Sequence, residues 1–556
     1  MKMAVNSITR KRRGVFYSPL EVADLLATWA VRDVNGRILE PSFGGCDFLS
    51  ALERRLFALG SSEPWKEIFG CDVDAKAFKQ HLTRVLPRSS RRRHFVKADF
   101  LTLNPTDFAV KKFTVVIGNP PYVSHHNMFK VQRLSRECVE SEGEFRLSRM
   151  SSLWAYFIFH SLRFLVDGGR MAWLLPGSVL HADYAKQLLH EVSSHFERTV
   201  VISIQQRLFL SGGTSEATHI LLCESYSSNE APVVEVVTAK NINECSRLLR
   251  DWNRATWRGV SLNGRAQRAL TPERRLKKFN SLSKSEHAVR LGDIADLSIG
   301  IVTGANRFFV INDDISRQQK LPKRTLQPIL AKFAVAQGLS LTRTDFRAAR
   351  SKGIRCLLVD GNRSESQSAV EAYFARFPES DRLRNVTFGK RRDWRLPNDG
   401  RIPNAFLPYM HNTGPRLVLN TCRVNSTNTI HRVYFGRGVT QIRRKLVAIS
   451  MVSTFSQISA EIEGRSYGGG ILKHEIGEAS KIQLLLPNGA SKTLITRTFA
   501  KVDQLLRQGK VARATSVADA FLTAQIPKLL SISSLQALRL CLKHLREYRK
   551  PRSKKT

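Results

Sequence analysis

The residues with the clearest chemical potential are Asn119-Pro120-Pro121-Tyr122, which follow the apolar run 113–118. An exocyclic amine on an aromatic ring is a poor nucleophile because its lone pair is conjugated with the ring. The Asn119 side-chain oxygen and a backbone carbonyl could draw its hydrogens out of the plane, and proline geometry predicts that Asn119 and Pro120 are extended with outward carbonyls. Tyr122 could stack on the ring, which is worth roughly 1–3 kcal/mol for a nucleobase. The tetrapeptide therefore indicates a pocket for a planar amine, although an ordinary strand ending in a proline turn could read the same.

The elements that would position this tetrapeptide alternate between short apolar strands and helical stretches from about residue 37 to 225. Such alternation is typical of an α/β domain with a parallel sheet and crossover helices. The predicted strands are 37–40, 68–72, 94–98, 113–118 and 170–176, followed by a terminal hairpin of 200–205 and 217–224. A first helix is predicted after the segment 41–49 and ends at about Leu59, further helices are predicted at 152–165 and 183–194, and a turn is predicted at 167–169.

Glycines and an acid follow the first two predicted strands. Gly44 and Gly45 would let the backbone turn tightly and approach a ligand at the start of a helix. Asp72 ends the second strand, where a carboxylate can accept hydrogen bonds from both ribose hydroxyls. Asp74 lies at the start of the next helix and is predicted to cap it.

A further pair, Asp99-Phe100, follows the third predicted strand. The acid could accept a hydrogen bond from an adenine amine, and the aromatic ring could cover the adenine. In isolation such a pair is more often loop and core, but here it is the third feature in strand order. Open α/β sheets bind ligands at the carboxyl ends of their strands, so a nucleotide site is predicted there.

The net charge of +41 is concentrated in the later part of the chain. Residues 1–230 hold 30 Lys and Arg against 23 Asp and Glu, whereas the remainder holds 58 against 24. The stretch 401–460 has no acid, and it interleaves basic residues with aromatic ones: Arg401, Phe406, Tyr409, Arg416, Arg423, Arg432, Tyr434, Phe435, Arg437, Arg443, Arg444 and Lys445. This pattern favours a phosphate-tracking surface with stacking or packing aromatics, and a solvated basic face is the alternative.

Other compositional features limit the class of protein. No apolar run approaches the roughly 18 residues that a membrane helix requires, and no secretory apolar region is apparent near the start. The eight cysteines form no Cys-x-x-Cys pair, so neither a zinc site nor a disulfide framework is indicated. A cytoplasmic protein without a metal cofactor is therefore expected.

Taken in order, these motifs resemble those of the N6-adenine DNA methyltransferases, particularly the TaqI-like enzymes and the Eco57I-type restriction-modification proteins. In that family the cofactor motifs precede a target-recognition domain. The segment 14–19 is similar to the motif that contacts the methionine part of S-adenosylmethionine, and 40–49 is similar to the glycine-rich cofactor motif. Asn119-Pro-Pro-Tyr122 matches the catalytic tetrapeptide, and Phe209 matches a looser aromatic motif that packs on the flipped adenine.

The resemblance implies a set of site residues. The implied cofactor-binding residues are Tyr17, Ser18, Pro19, Glu40, Pro41, Gly44, Gly45, Asp72, Asp99 and Phe100, and the implied catalytic residues are Asn119, Pro120, Pro121, Tyr122 and Phe209. Two positions depart from the family pattern. Ser18 stands where threonine is usual, which keeps the hydroxyl, and Cys46 stands at a common glycine position, so the turn must differ slightly.

The same resemblance predicts the domain organisation. The expected fold is a Rossmann-like methyltransferase domain over residues 1–230, then a connecting region over 231–286, a mixed α+β DNA target-recognition domain over 287–545, and a basic tail over 546–556. The segment 289–304 is similar to the opening of that recognition domain, and 467–473 with 484–487 is similar to its closing part.

The predicted function is methylation of the N6 amine of an adenine taken out of duplex DNA, with S-adenosylmethionine as donor and a separate restriction endonuclease as a plausible partner. Related tetrapeptides also serve enzymes that methylate RNA bases or the glutamine amide of proteins, and these alternatives stay open. So does a non-catalytic specificity subunit that binds DNA. Neither the DNA sequence recognised nor a strict choice of adenine over cytosine follows from the sequence.

Overall fold

The computed structural model describes residues 18–85, 94–141, 146–206, 218–254, 257, 259–262, 271–361, 368–467 and 470–549. Contacts divide the chain into two compact units. The first unit comprises residues 1–270 with 553–556, and the second comprises residues 271–552. Among the described residues, no helix is long and apolar enough to cross a membrane.

The first unit is built on a nine-stranded sheet with the order β3-β2-β1-β4-β5-β7-β6-β8-β9. The first five strands run parallel, and β7 is antiparallel to both of its neighbours. The strands are β1 (Ile38–Glu40), β2 (Ile68–Cys71), β3 (Phe95–Val96), β4 (Phe113–Gly118), β5 (Leu165–Pro176), β6 (Phe196–Ile204), β7 (Thr218–Tyr226), β8 (Val234–Ala239) and β9 (Val260–Ser261). The predicted α/β class with a large parallel sheet is confirmed.

Two helical layers cover this sheet. Because neighbouring residues of a strand face opposite sides, Val115 and Ile117 pack in one layer, whereas Val116 packs in the other. The helices of eight or more residues are α1 (Leu20–Ala30), α2 (Asp47–Ala58), α3 (Lys130–Ser141), α4 (Leu153–Ser161), α5 (Asp183–Ser193) and α6 (Ile242–Arg250). Shorter helical turns are Pro64–Lys66, Ala77–Leu82, Thr83–Val85, Phe100–Thr102, Pro105–Asp107, His125–Asn127, Leu162–Phe164 and Ser178–His181.

Three predicted elements differ from the structure. The helix expected to reach residue 165 ends at Ser161, where a 3-10 turn continues to Phe164. The turn expected at 167–169 lies inside β5, because Gly168 adopts a φ of +74° and the pairing with β4 shifts register there. The hairpin of β6 and β7 is present but does not end the sheet, since β8 pairs parallel to β6.

The described residues of the second unit form four smaller sheets. Its strands are β10 (Ala288–Arg290), β11 (Ala295–Ile299), β12 (Val310–Ile311), β13 (Leu326–Leu330), β14 (Ser340–Leu341), β15 (Leu357–Val359), β16 (Ala405–Pro408), β17 (Met410–His411), β18 (Val418–Asn420), β19 (Asn425–Ser426), β20 (Ile430–Phe435), β21 (Arg465–Tyr467), β22 (Ile471–Lys473) and β23 (Gln483–Leu485). The sheet orders are β11-β20-β16-β18-β14, β12-β15-β13-β19, β17-β22-β21 and β10-β23.

Helices pack around these sheets and make the second unit a mixed α and β structure. Its longer helices are α7 (Glu273–Ser283), α8 (Arg343–Ser351), α9 (Ser368–Ala375), α10 (Gln441–Val452), α11 (Thr454–Glu463), α12 (Lys492–Arg507), α13 (Val511–Gln525) and α14 (Ile532–Arg549). Its shorter turns are Leu291–Ile294, Asn306–Phe309, Asp313–Gln318, Lys323–Thr325, Phe333–Val335, Glu379–Arg384, Val386–Gly389 and Ile476–Ala479. Its largest core lies between the five-stranded sheet and α10 to α14.

Candidate active site

The site forms where the order of strands reverses, beside β1. From β1 the chain continues to β2 on one side, whereas β4 lies on the other side. Loops at the carboxyl ends of β1 and β4 diverge at such a point and leave a crevice for a ligand. Both the glycine-rich turn and the Asn-Pro-Pro-Tyr tetrapeptide follow these two strands.

The turn after β1 uses left-handed backbone conformations to enter α2. Gly44 has a φ of +42° and Cys46 a φ of +67°. The Cys46 amide donates to the Phe43 carbonyl at 2.6 Å and closes the turn. A left-handed conformation favours glycine, which is the physical reason that glycine is the expected residue where Cys46 stands. Cys46 is buried, and α2 begins at the next residue.

Asp72 joins the ends of β1 and β2. One carboxylate oxygen accepts a hydrogen bond from the Gly44 amide at 2.9 Å, and the other accepts from the Asp74 amide at 2.7 Å. The Asp74 carboxylate in turn accepts from the Lys76 amide at 2.9 Å, as expected of a capping residue. Asp72 therefore supports the glycine turn, and its contact with a ribose stays a prediction.

The tetrapeptide is held by three separate segments. The Asn119 side-chain amide donates to the Ser18 hydroxyl at 3.1 Å, and the Ser42 hydroxyl donates to the Asn119 carbonyl at 3.3 Å. The Tyr122 hydroxyl donates to the carbonyl of Leu174 in β5 at 3.0 Å. These bonds unite the tetrapeptide with Ser18 of the first motif and with the turn after β1.

The four residues of the tetrapeptide differ in burial. Pro120 is buried, whereas Asn119, Pro121 and Tyr122 are half-buried. The Pro121 carbonyl accepts a hydrogen bond from the Val123 amide at 3.0 Å, so this carbonyl is already engaged within the chain. The arrangement is compatible with the predicted use of the Pro120 carbonyl as an acceptor for a substrate amine.

Asp99 and Phe100 occupy different environments. The Asp99 carboxylate accepts a hydrogen bond from the Leu101 amide at 3.1 Å and is half-buried. The Phe100 ring is only 1% exposed, and its centroid lies 5.4 Å from that of Phe157 and 5.0 Å from that of Phe164. Phe100 thus packs in the core of the first unit, and its contact with an adenine stays a prediction.

Acidic groups at this edge of the sheet lie together. Burial first, and then the charges of Asp47 and Asp72, hold the pKa of Glu40 well above its ordinary value. Burial also raises the pKa of Asp47 and that of Asp72. Within the described part of the chain, Glu40 Oε2 is buried and has no hydrogen-bond partner. A buried carboxyl of this kind lacks a compensating cation, and a cationic ligand would supply one.

Two site residues that sequence reasoning did not select are Ser42 and Asp47. Ser42 reaches the tetrapeptide, as described above, and the Asp47 carboxylate accepts a hydrogen bond from the Ser18 backbone amide. Both residues lie inside the motif 40–49, and an acid at the start of a helix was the available signal for Asp47. Pro19 immediately precedes α1, and its carbonyl accepts a hydrogen bond from the Val22 amide at 3.0 Å.

The remaining predicted site residues are Tyr17, Phe209, Pro41 and Gly45. Tyr17 and Phe209 lie outside the described residues, so their roles stay predictions. Pro41 is buried, and its carbonyl accepts a bond from the Cys71 thiol at 3.4 Å. Gly45 lies half-buried within the turn.

The basic stretch 401–460 is only partly a surface. Phe406 and Phe435 are buried in the cores of the second unit, so they pack rather than stack on a ligand. Arg416 and Arg432 are also held internally: Arg416 donates to the Ala336 carbonyl at 2.8 Å, and Arg432 pairs with Asp399. Exposed cations of this stretch are Arg401, Arg423 and Arg437.

Comparison with known proteins gives each part of the chain a family. Residues 3–251 match the family model of the N-6 DNA methylases, and residues 264–523 match that of the C-terminal domain of the type II methyltransferase M.Eco57I. The chain therefore combines a segment like the N-6 DNA methylases with a segment like the C-terminal domain of a type II methyltransferase, in that order. The resemblance predicted from the motifs is confirmed.

Proteins that align with most of the chain are likewise described as type II methyltransferases or as a restriction-modification enzyme. The type II methyltransferase M.AccI of Acinetobacter calcoaceticus is 20% identical over 488 residues, which cover 86% of either chain. The type II methyltransferase M.XamI of Xanthomonas campestris pv. amaranthicola is 21% identical over 499 residues, with 85% of either chain covered. Among solved structures, the type IIL restriction-modification enzyme MmeI in complex with DNA is 11% identical, with a TM-score of 0.48, over 94% of this chain and 71% of that one.

Proposed function

We propose that this DNA methyltransferase transfers a methyl group from S-adenosylmethionine to the N6 amine of an adenine taken out of duplex DNA. The observation that carries the proposal is the position of Asn119. It lies at the carboxyl end of β4, bonded to Ser18 and to Ser42 of the turn after β1. The residue suited to bind an amine is thus joined to both segments suited to bind the methyl donor.

The chemistry required of the protein is mainly orientation. The sulfonium methyl group is already activated, so the chain has to hold amine and methyl group in line and to make the amine a better nucleophile. The Asn119 side-chain oxygen and the Pro120 carbonyl would accept the two amine hydrogens, and Tyr122 would stack on the ring. The Tyr122 bond to Leu174 supports this role, because it fixes the ring on the central sheet.

The residues present fit the methyl donor. S-adenosylmethionine carries a sulfonium and an ammonium group, and the crevice presents Glu40, Asp47 and Asp72, each with a raised pKa. A bound cation would offset the electrostatic penalty of ionising these buried carboxyls. The left-handed turn at Gly44 supplies backbone that a ligand can approach closely. Ser18, Gly44 and Asp72 would hold the donor, with Asp99 beside its adenine.

The second unit would bind the DNA. We assign target recognition to residues 287–545, and the basic excess beyond residue 230 supports this assignment. The stretch 234–261, expected to connect the domains, instead supplies β8, α6 and β9 to the first unit. Turning a base out of the stack costs a few kcal/mol, which contacts to the phosphate backbone and stacking in the pocket would offset. A separate restriction endonuclease directed to the same DNA site is the expected partner.

The test substitutes Asn119→Ala and uses Asn127→Ala, an exposed asparagine, as the matched control. We expect Asn119→Ala to lower methyl transfer at least ~100-fold, as removal of one aligned polar group does in other enzymes, while S-adenosylmethionine binding measured by calorimetry stays within a few-fold. Nucleoside analysis of modified DNA should give N6-methyladenine from the wild type and the control. Methylated cytosine would correct the choice of base, and undiminished transfer by Asn119→Ala would refute the assignment.

A further inference from the structure

The second unit contains a continuous network of polar side chains that the proposed methyl transfer does not use. Gln327 Nε2 donates to Asp360 at 2.8 Å, and Asn398 Nδ2 donates to Gln327 at 2.5 Å. Asn425 Nδ2 contacts Asn398 Oδ1 at 3.4 Å and Asp399 at 3.5 Å. The network thus runs from β13 to β19 and on to the loop before β16.

The network ends on a tightly oriented ion pair between β20 and that loop. Arg432 Nη1 donates to both carboxylate oxygens of Asp399, at 2.8 and 2.7 Å, while Nε donates to the Ile299 carbonyl at 2.9 Å. The Arg432 side chain is 7% exposed, whereas Asp399 is 40% exposed. The Arg432 side of the pair is therefore buried and fixed by hydrogen bonds, whereas the Asp399 side is open to solvent.

One end of the Arg432 guanidinium is left for a ligand. Arginine has five N–H groups, and those of Nε and Nη1 are engaged as just described. In the ranges that the structure describes, the hydrogen bonds of the Arg432 guanidinium are made by Nε and Nη1, and none is made by Nη2. A charged group so well buried, with a free donor edge, is held in advance for a partner with fixed acceptors.

A pocket of about 380 Å³ lies above this pair. Arg432 and Asp399 line it together with the backbone-presenting segment 299–302, and Thr387 and Lys390 form part of its wall. Lys390 is exposed and has no ion pair with any described residue. The pocket thus combines a fixed guanidinium, an acceptor carboxylate and an exposed cation at its edge.

We propose that Arg432, positioned by Asp399, reads one base of the DNA target site, and that Lys390 contacts a neighbouring phosphate. The Nη2 amine of Arg432 can donate to an acceptor on the edge of guanine, and the half-exposed Asp399 carboxylate can accept from the amine of cytosine. A planar guanidinium held in this way presents its donor in a fixed direction, whereas lysine acts as a point charge. This inference rests on the proposed function only in taking duplex DNA as the partner.

Base reading and phosphate contact predict different results. Loss of a base-reading group relaxes the preference at one position, whereas loss of a phosphate contact weakens binding to all sequences alike and lowers the salt dependence. A purely structural ion pair would do neither, because it would alter stability without changing the preferred sequence. The measurement is therefore the selection of binding sites from a pool of randomised duplexes, which does not require methyl transfer.

The variants are Arg432→Gln, Asp399→Asn and Lys390→Ala in the full chain. We expect Arg432→Gln and Asp399→Asn to reduce discrimination at a single base position by about 10–100-fold and to leave other positions unchanged. Lys390→Ala should keep the preferred sequence and lower the slope of log affinity against log salt by about 1. Since Arg432 is buried and its variant could fail to fold, Asp399→Asn decides the matter in that case.

The other possible results of the site selection either support or overturn the inference. Wild-type selectivity retained by folded Asp399→Asn would overturn the inference, as would uniform weakening across all sequences. If the wild type selects no sequence at all, the inference also fails, even where adenine methylation is observed. Selection of a site that Asp399→Asn relaxes, without methylation of adenine, would instead support the inference and refute the proposed function.

Discussion

Two groups of carboxyls, one in each unit, have pKa values shifted in opposite directions. At the carboxyl edge of the first sheet, Glu40, Asp47 and Asp72 lie together, and burial raises the pKa of each of them. In the second unit, a hydrogen bond from Arg350 holds the pKa of Asp313 below its ordinary value, and a bond from Arg395 does the same for Asp393. The acids of the first group would ionise more readily beside a bound cation, whereas Asp313 and Asp393 already have an arginine partner.

Between these two groups of a strongly basic chain, the direction of the pKa shift distinguishes carboxyls suited to bind a ligand from carboxyls that orient an arginine. An unpaired buried carboxyl raises the free energy of the ligand-free protein, so it is expected where a ligand repays that penalty. A paired carboxyl instead fixes the orientation of an arginine, as Asp399 does for Arg432. Excess positive charge alone therefore does not identify the functional arginines, since many of them are internally bonded.

The largest expected effect comes from breaking a buried pair in the second unit. Glu461 and Arg549 are each 2% exposed, and the Glu461 carboxylate also accepts a bond from Arg546 at 3.3 Å. Glu461→Gln should lower the free energy of unfolding by roughly 3–5 kcal/mol, because a buried charge loses its partner. Denaturant unfolding measures this, with the exposed Glu547→Gln as control. A loss no greater than that of the control would contradict the contrast between the units.

An intermediate effect of opposite sign is expected at the acidic edge. Since the folded-state pKa of Glu40 is raised, ionisation destabilises the ligand-free protein progressively as the pH rises above about 4.5. Glu40→Gln should therefore raise thermal stability at neutral pH and lose that advantage in acid. Its affinity for S-adenosylmethionine should fall by about 10–100-fold, the equivalent of one charge-assisted hydrogen bond. Scans of melting temperature and calorimetry across pH 4.5–8 test both. A stability loss at neutral pH would remove the distinction.

The smallest effect is expected at a partly exposed pair. Asp313 and Arg350 form an ion pair whose side chains are 30% and 44% exposed. Asp313→Asn should lower the free energy of unfolding by about 0.2–1 kcal/mol at neutral pH. Because the pKa of Asp313 is lowered, its contribution is present above the unfolded value of 3.8 and disappears as the pH falls through the folded value. Unfolding at several pH values tests this against Asp296→Asn, an exposed acid. A difference that grows in acid would reverse the predicted sign.

Much of the first unit could be predicted from local sequence. Apolar runs bounded by turn residues predicted strands close to β1, β2 and β4, because a strand buried on both faces is apolar throughout. The Asn-Pro-Pro-Tyr tetrapeptide and the glycine turn could be placed at strand ends for the same reason. The structural effect of Gly168 was harder to predict. Whether a glycine with positive φ ends a strand or bends it depends on the pairing with the neighbouring strand.

Side-chain environments were harder to predict. Phe100 follows an acid at a strand end, a position that suits a ligand contact, but helix α4 packs over it and encloses its ring. In the second unit, the segments expected to open and close the recognition domain pair directly, with Val289 opposite Leu484. No local pattern indicates such a pairing, because the two strands are far apart in sequence.

The sequence by itself determined which chemistry is available: an amide and an aromatic ring set by prolines, acids and glycines in strand order, and an acid-free basic stretch. These follow from residue type and spacing. The tertiary structure decided which of those residues share a site, because sheet order brings Asn119 to Ser18 and Ser42, and long-range packing buries some arginines while leaving others open. Burial and pairing depend on contacts between distant segments, and only the folded chain specifies them.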